Sequence, residues 1–160
     1  MRAPFQILVI PFRRTAAGPE FAVLLRSDTK YWQFVAGGGE GVESPAQAAE
    51  RETKEETGIA ANGCLLQLDS MATLPINGFA EADSWGQEVS VIPEYCYAID
   101  AGDSALALSG EHTEVRWVSY DQACTLLKWD SNRNALRELN ERLKVKGTAP
   151  AGAGDVLQCA

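Results

Sequence analysis

Apolar residues enter this chain as nearly unbroken runs and return later at helical spacing, and that change of pattern separates its elements. Residues 5–12 (FQILVIPF) and 21–25 (FAVLL) are strand-length and continuously apolar, with Ala17-Gly18-Pro19 turning the chain between them. Such runs predict two neighbouring strands covered on both faces. Residues 31–35 (YWQFV) read as a short aromatic strand, after which Gly37-Gly38-Gly39 predicts the end of regular structure and a loop. Ser44-Pro45-Ala46-Gln47 reads as a helix start, with Ser44 capping, Pro45 in the first helical position and Gln47 reaching back to close a capping box. The helix should run to Thr57 and stop at Gly58 in the left-handed conformation.

Downstream, residues 64–74 and 88–99 have strand-like composition on either side of the polar stretch 77–87. Residues 113–118 (TEVRWV) alternate as a half-buried strand does. Helices are expected over 121–127 and 132–144, the second with Leu136, Leu139 and Leu143 along one face. Residues 147–160 are rich in small residues and predict a loose tail. There is no internal repeat and no interdomain linker, so the pattern predicts one domain over residues 1–146, a mixed sheet with helices packed on it.

Composition narrows the function. A chain of 160 residues with 46% apolar and 22% charged residues suits one globular domain. No apolar run approaches the roughly 20 residues of a spanning helix, so neither a membrane span nor a secretory leader is expected. Fourteen basic against 22 acidic residues give a net charge of −8, which argues against binding a nucleic acid duplex or an anionic membrane. Cys64, Cys96, Cys124 and Cys159 form no C-x-x-C pair, which excludes a zinc knuckle and a redox motif. Reduced cysteines and a cytoplasmic location are expected, because a chain of this length does not need disulfides to fold. His112 is the only histidine, so chemistry that needs two is excluded.

The chemistry concentrates in residues 37–59, GGGEGVESPAQAAERETKEETGI. On a helix Glu52, Glu55 and Glu56 fall at spacings of three and four and share one arc. Like charges placed so repel by a few tenths of a kcal/mol per pair. Glu55 and Glu56 also sit at the negative end of the helix dipole, at about 0.3 to 1 kcal/mol each. Local helix physics does not favour this arrangement. It is either a solvated acidic face partly offset by Arg51 and Lys54, or a site for hard divalent cations such as Mg²⁺, which take carboxylate, carbonyl and water oxygens. A bound cation would reverse the local field and let an acidic protein accept a polyphosphate. A calcium-binding acidic protein is a weaker alternative, because the stretch lacks the D-x-D-x-D-G loop.

The whole stretch has Gly37, five residues, Glu43, seven residues, then Arg51-Glu52-Thr53-Lys54-Glu55-Glu56-Thr57-Gly58-Ile59. This resembles the Nudix box of the Nudix hydrolases, with two departures: Thr53 stands where the box has an aliphatic residue, and Val42 where a glycine often precedes the box glutamate. The resemblance implies an α/β/α sandwich around a mixed sheet, and Mg²⁺- or Mn²⁺-dependent cleavage of a nucleoside diphosphate linked to another group. It further implies metal-binding roles for Glu52, Glu55 and Glu56, an orienting role for Arg51, a metal-shell carbonyl at or beside Gly37, and for Glu43 either a loop-holding role or a hold on an outer-shell water.

Trp32-Gln33, Pro45-Gln47-Ala48-Ala49, Glu111-His112 before Arg116-Trp117, and Trp129 followed by Ser131-Asn132-Arg133 are similar to the dihydroneopterin triphosphate pyrophosphatase branch of that family. That likeness implies that Glu111 completes the metal site. It makes a nucleoside-triphosphate-like substrate expected, dihydroneopterin triphosphate by preference with dATP-like nucleotides as side substrates, split to monophosphate and pyrophosphate, with housecleaning or RNA 5′-end pyrophosphohydrolysis and non-catalytic nucleotide sensing as alternatives. The general base is Glu52 by preference, or Glu111. His112 is expected to serve as a hydrogen-bond partner at the entry to a strand. Trp32 and Trp129 are either stacking surfaces for a flat base or core residues. Arg26, Lys30 and Arg133 are either phosphate contacts or exposed charges. A homodimer is expected only by analogy.

Overall fold

The computed structural model describes residues 1–147; the tail expected over 147–160 lies outside the described residues apart from Gly147, which ends the last helix. In chain order the elements are β1 (Arg2–Thr15), β2 (Gly18–Arg26), β3 (Trp32–Gln33), β4 (Val35–Glu40), α1 (Pro45–Thr57), β5 (Leu66–Pro75), β6 (Val91–Asp100), β7 (His112–Val118), α2 (Tyr120–Leu126) and α3 (Asp130–Gly147). Two short 3-10 turns, Ile76–Gly78 and Ala82–Ser84, occupy the polar stretch between β5 and β6.

β1 organises the sheet because its first half pairs antiparallel with β4, its last residues with β2, and its other edge parallel with β6. β5 extends the sheet beyond β6, while β2 carries β3 and β7. Successive β1 side chains point to opposite faces, and both faces are covered. Leu8, Ile10 and Phe12 meet Leu136, Leu139 and Leu143 of α3 and Ala123 of α2 in one core. Ile7 and Val9 meet Ala48 and Ala49 of α1 in the other. The result is the α/β/α sandwich around a mixed sheet.

The triglycine does not end regular structure. β4 runs through Gly37, Gly38 and Gly39 in register with β1. A Cβ at Gly37 would lie 2.1 Å from the Glu52 side chain, one at Gly38 2.1 Å from Arg2, and one at Gly39 2.0 Å from Phe5. The glycines leave room for side chains lying across the strand.

Both later helices start ahead of the sequence expectation. Ser119 caps α2 through a second capping box with Gln122, and α3 begins at Asp130 rather than 132. Cys96, buried, and Cys124, half-buried, are free thiols as expected. Cys64 is disulfide-bonded, against that expectation; it is half-buried and follows the Asn62-Gly63 turn, outside the two core clusters. Among the described residues no helix is long and apolar enough to cross a membrane.

Candidate active site

Helix α1 is fixed at both ends before any tertiary contact. The Ser44 hydroxyl accepts from the Gln47 N–H at 3.3 Å, the Gln47 side chain accepts from the Ser44 N–H at 2.9 Å, and Pro45 fills the first turn. Gly58, at φ 78°, closes the other end by donating to the Lys54 carbonyl at 2.9 Å. The face turned to the sheet carries Ala48, Ala49, Thr53, Glu56 and Thr57. Thr53 is fully buried at a position where an aliphatic residue was expected, and it neutralises its hydroxyl by donating to the Ala49 carbonyl at 2.6 Å.

The helix spreads its carboxylates over three environments. Glu55 is exposed, Glu52 is largely covered, and Glu56 is only 3% exposed. Arg51 is the hub beside them. Its guanidinium donates to Glu43 at 3.0 and 3.1 Å, to the Gly38 carbonyl at 2.9 Å, to Glu52 at 2.8 Å and to Glu55 at 3.3 Å. Glu43 also accepts from the Glu40 N–H at 2.8 Å, so one arginine ties the loop after β4 to the helix. Hydrogen bonding from Arg51 holds the Glu43 carboxyl below the ordinary carboxylate range.

Glu56 is the most perturbed of the group. Burial first, then the charges of Glu52 and Glu111, push its carboxyl up to about 8, against a bond from the Ala36 backbone. Its Oε2 is buried without a hydrogen-bond partner, 3.9 Å from Nε2 of His112. Burial likewise raises Glu52, with Arg51 opposing it. His112 does not act as the expected side-chain hydrogen-bond partner, because neither ring nitrogen has one among the described residues. It packs fully buried behind Glu56, and desolvation lowers its pKa.

Glu111 reaches this group from the loop before β7. The Ser27 N–H donates to its carbonyl at 2.8 Å, and Arg26 Nη1 donates to its side chain at 3.0 Å. Arg26 in turn is held by Asp28 at 3.0 and 2.7 Å. Among the described residues no three His, Cys, Asp or Glu side chains stand pre-assembled at ion-holding positions. The carboxylates are instead parted by their arginines, as mutually repelling charges are. The buried orphan oxygen of Glu56 and the space that Gly37 leaves for Glu52 are what an oxygen-seeking cation would use.

A cleft of about 1480 Å³ opens over this group. Gly37, Gly38, Glu52, Arg26 and Glu111 line it together with Gln33, Trp129, Ser131 and Asn132. Trp129, 47% exposed, donates from its indole to Gln33 at 3.4 Å and meets Tyr31 edge-on. Trp32 and Arg133 are absent from the lining. Trp32 packs against the core beneath Arg116, and Arg133 donates to the Leu127 carbonyl at 2.6 Å and pairs with Asp130, closing the α2–α3 connection. Lys30 lies in an exposed turn at φ 58°.

Two cleft residues escaped the sequence reading. Arg2 lies over Gly38 with its Nε buried and unpartnered. Glu94 is 4% exposed in β6 with an unpartnered Oε1. Period-two counting reveals Glu94, because Ile92, Glu94, Cys96 and Ala98 share the inward face. Arg2 carries no such signal, since its position depends on a glycine 36 residues later in the chain.

Comparison with known proteins agrees with the geometry. The NUDIX domain model matches residues 6–143. A protein of Listeria monocytogenes described as a NUDIX hydrolase is 48% identical, with a TM-score of 0.81 over 90% of this chain and 97% of that one. The dihydroneopterin triphosphate pyrophosphohydrolase of E. coli is 24% identical, with a TM-score of 0.73 over 88% and 97%, and shares the fold. The pig asymmetrical bis(5′-nucleosyl)-tetraphosphatase is 31% identical over 74% of this chain and 77% of its own length. An octanoyltransferase of Myxococcus xanthus is 32% identical over 75% of this chain, which spans 32% of that protein's length.

Proposed function

The chain belongs to the NUDIX domain family, and from that premise we propose that it is a divalent-metal-dependent pyrophosphohydrolase, a MutT-like hydrolase of phosphoric anhydrides, that splits a nucleoside-triphosphate-like substrate to monophosphate and pyrophosphate. One observation carries the reading: a buried carboxyl with an orphaned oxygen, Glu56, beside Glu52 on a helix that abuts a glycine strand at the mouth of a large cleft. Glu52, Glu55, Glu56 and Glu111, with a backbone carbonyl at Gly37, would hold Mg²⁺ or Mn²⁺. Such a cation neutralises charge on the leaving pyrophosphate and acidifies the attacking water. Arg51 orients Glu52 and Glu55 and anchors the loop through Glu43 and Gly38. Glu52, whose carboxyl burial raises, is the preferred general base, with Glu111 the alternative. Arg26 at the cleft wall is suited to a phosphate oxygen, and Trp129 to a flat base.

Dihydroneopterin triphosphate is the preferred substrate, on the Trp32-Gln33, Glu111-His112 and Trp129 to Arg133 likeness and on the shared fold. A second reading, hydrolysis of a dinucleoside polyphosphate, is favoured by the 27 and 31% identity to the rat and pig tetraphosphatases. The cleft volume of about 1480 Å³, above the usual 300–1,000 Å³ of a small-molecule pocket, also suits it. A chromatographic product screen with Mg²⁺ over pterin, purine and pyrimidine triphosphates, read as monophosphate plus pyrophosphate, and over Ap4A, read as ATP plus AMP, with Glu56→Gln as control, separates the two. Magnesium-dependent release of pyrophosphate from one triphosphate class is expected. Turnover that is equal in the variant, or absent on every substrate, overturns the proposal.

A further inference from the structure

Glu94 is a carboxyl that the proposed hydrolysis does not use. It sits on the cleft floor where β4, β1, β6 and β5 lie side by side, since Gly38 faces Gln6, Gln6 faces Glu94 and Glu94 faces Ala72. Two strand spacings separate it from Gly38, roughly 10 Å. That is the reach of a sugar-like linker and one phosphate, so a base lying over Glu94 leaves its polyphosphate at Gly38 and Arg2, beside Gly37 and Glu52 at the strand edge of the same cleft.

A buried carboxyl without partners is costly, and native proteins rarely keep one without a use. Glu94 is 96% buried by its 4% exposure, and its Oε1 has no partner among the described residues. Desolvation raises its pKa, and the Ser131 hydroxyl, in the first turn of α3, works against that rise in favour of the ionised form. What remains is an acceptor pair facing a cleft, with Trp129 and Gln33 also in its lining. A carboxylate accepts two parallel N–H bonds, so its natural partner offers two adjacent donors.

We propose that Glu94, supported by Ser131, is a base-reading residue that selects substrates carrying the 2-amino-4-oxo edge shared by guanine and pterin, whose ring N–H and exocyclic amine point the same way. Adenine offers one donor beside an acceptor on its Watson–Crick edge and leaves the second carboxylate lone pair unmatched. This deepens the proposed hydrolase reading, on which it rests, and it favours the pterin and guanine triphosphates over adenine dinucleotides.

The test uses dGTP, dITP, which lacks only the 2-amino group, and dATP as Mg²⁺-dependent substrates, and metal-free calorimetry with GMP, IMP and AMP as a readout independent of turnover. The wild-type protein should favour dGTP over dITP and dATP by tenfold or more in kcat/KM and show the same order in binding. Glu94→Gln, which keeps shape but replaces one acceptor by a donor, should lose that preference for guanine and gain relative affinity for adenine. Ser131→Ala should weaken the preference without reversing it. Normal hydrolysis with no discrimination against dITP, or discrimination that survives in Glu94→Gln, overturns the base assignment and leaves the hydrolase reading standing. GMP-selective binding lost in Glu94→Gln, with no hydrolysis of any triphosphate, overturns the hydrolase reading and supports the base assignment.

Discussion

Glu56 shows how one residue is read differently from sequence and from structure. Spacing alone put it on an acidic arc with Glu52 and Glu55, but spacing is blind to depth. The structure turns Glu56 toward the sheet, nearly out of solvent, while Glu55 remains exposed. Since its folded carboxyl lies near 8 and an unfolded one near 4.5, the metal-free folded state holds a proton that the unfolded state releases. The stability of the metal-free protein should therefore fall as pH rises from about 4.5 through about 8, and level off above that. Glu56→Gln removes this loss. In EDTA at pH 8.5 the variant should be more stable than wild type by up to a few kcal/mol, and at pH 4.5 the two should converge, as paired urea melts would record. With Mg²⁺ and substrate its turnover should drop by orders of magnitude. An unchanged pH–stability difference between the two proteins would contradict the burial argument.

At the scale of elements, α1 was legible almost to the residue because its signals are local. Ser44, Pro45, Gln47 and Gly58 each act within one turn, so no distant contact was needed to place them. The triglycine strand was misread for the opposite reason. Glycine loosens a chain locally, and only the arrival of Arg2, Phe5 and Glu52 from elsewhere explains why Gly37, Gly38 and Gly39 lie in an ordered strand. Gly37→Ala should consequently act as a site mutation more than a backbone one. Its methyl would stand 2.1 Å from the Glu52 carboxyl and force that side chain away, so turnover should fall at least a hundredfold while circular dichroism stays native.

The docking of α3 is equally non-local. Glu138 accepts from the backbone N–H groups of Asp69 at 2.8 Å and Ser70 at 2.7 Å, where the β5–β6 register shifts. Glu138→Ala should cost about 0.5 to 1.5 kcal/mol by exchanging those bonds for water at partly exposed backbone, read as a lower melting midpoint with catalysis preserved below it.

For the molecule as a whole, the sandwich was legible because β1 reads as apolar on both faces and thus demands two covering layers, whereas the cleft was not, because Arg2, Glu94 and Arg26 come to line one cleft only through the sheet order. The net charge of −8 and the buried carboxyl of Glu56 make one joint statement about the folded state. A divalent cation that binds only the folded chain stabilises it by mass action, about 2.7 kcal/mol at a hundred times its dissociation constant. For a domain of this size that corresponds to roughly 5–11 °C in Tm. Protons compete with the cation at Glu56, so the shift should be small at pH 6, where the folded carboxyl is protonated, and should grow toward pH 8.5, where it is ionised. Differential scanning calorimetry with and without Mg²⁺ across that range checks the sign. In Glu56→Gln the shift should be reduced and nearly independent of pH. A Mg²⁺ shift of equal size at pH 6 and 8.5 would mean that the ion binds elsewhere on the acidic surface, where screening alone accounts for it.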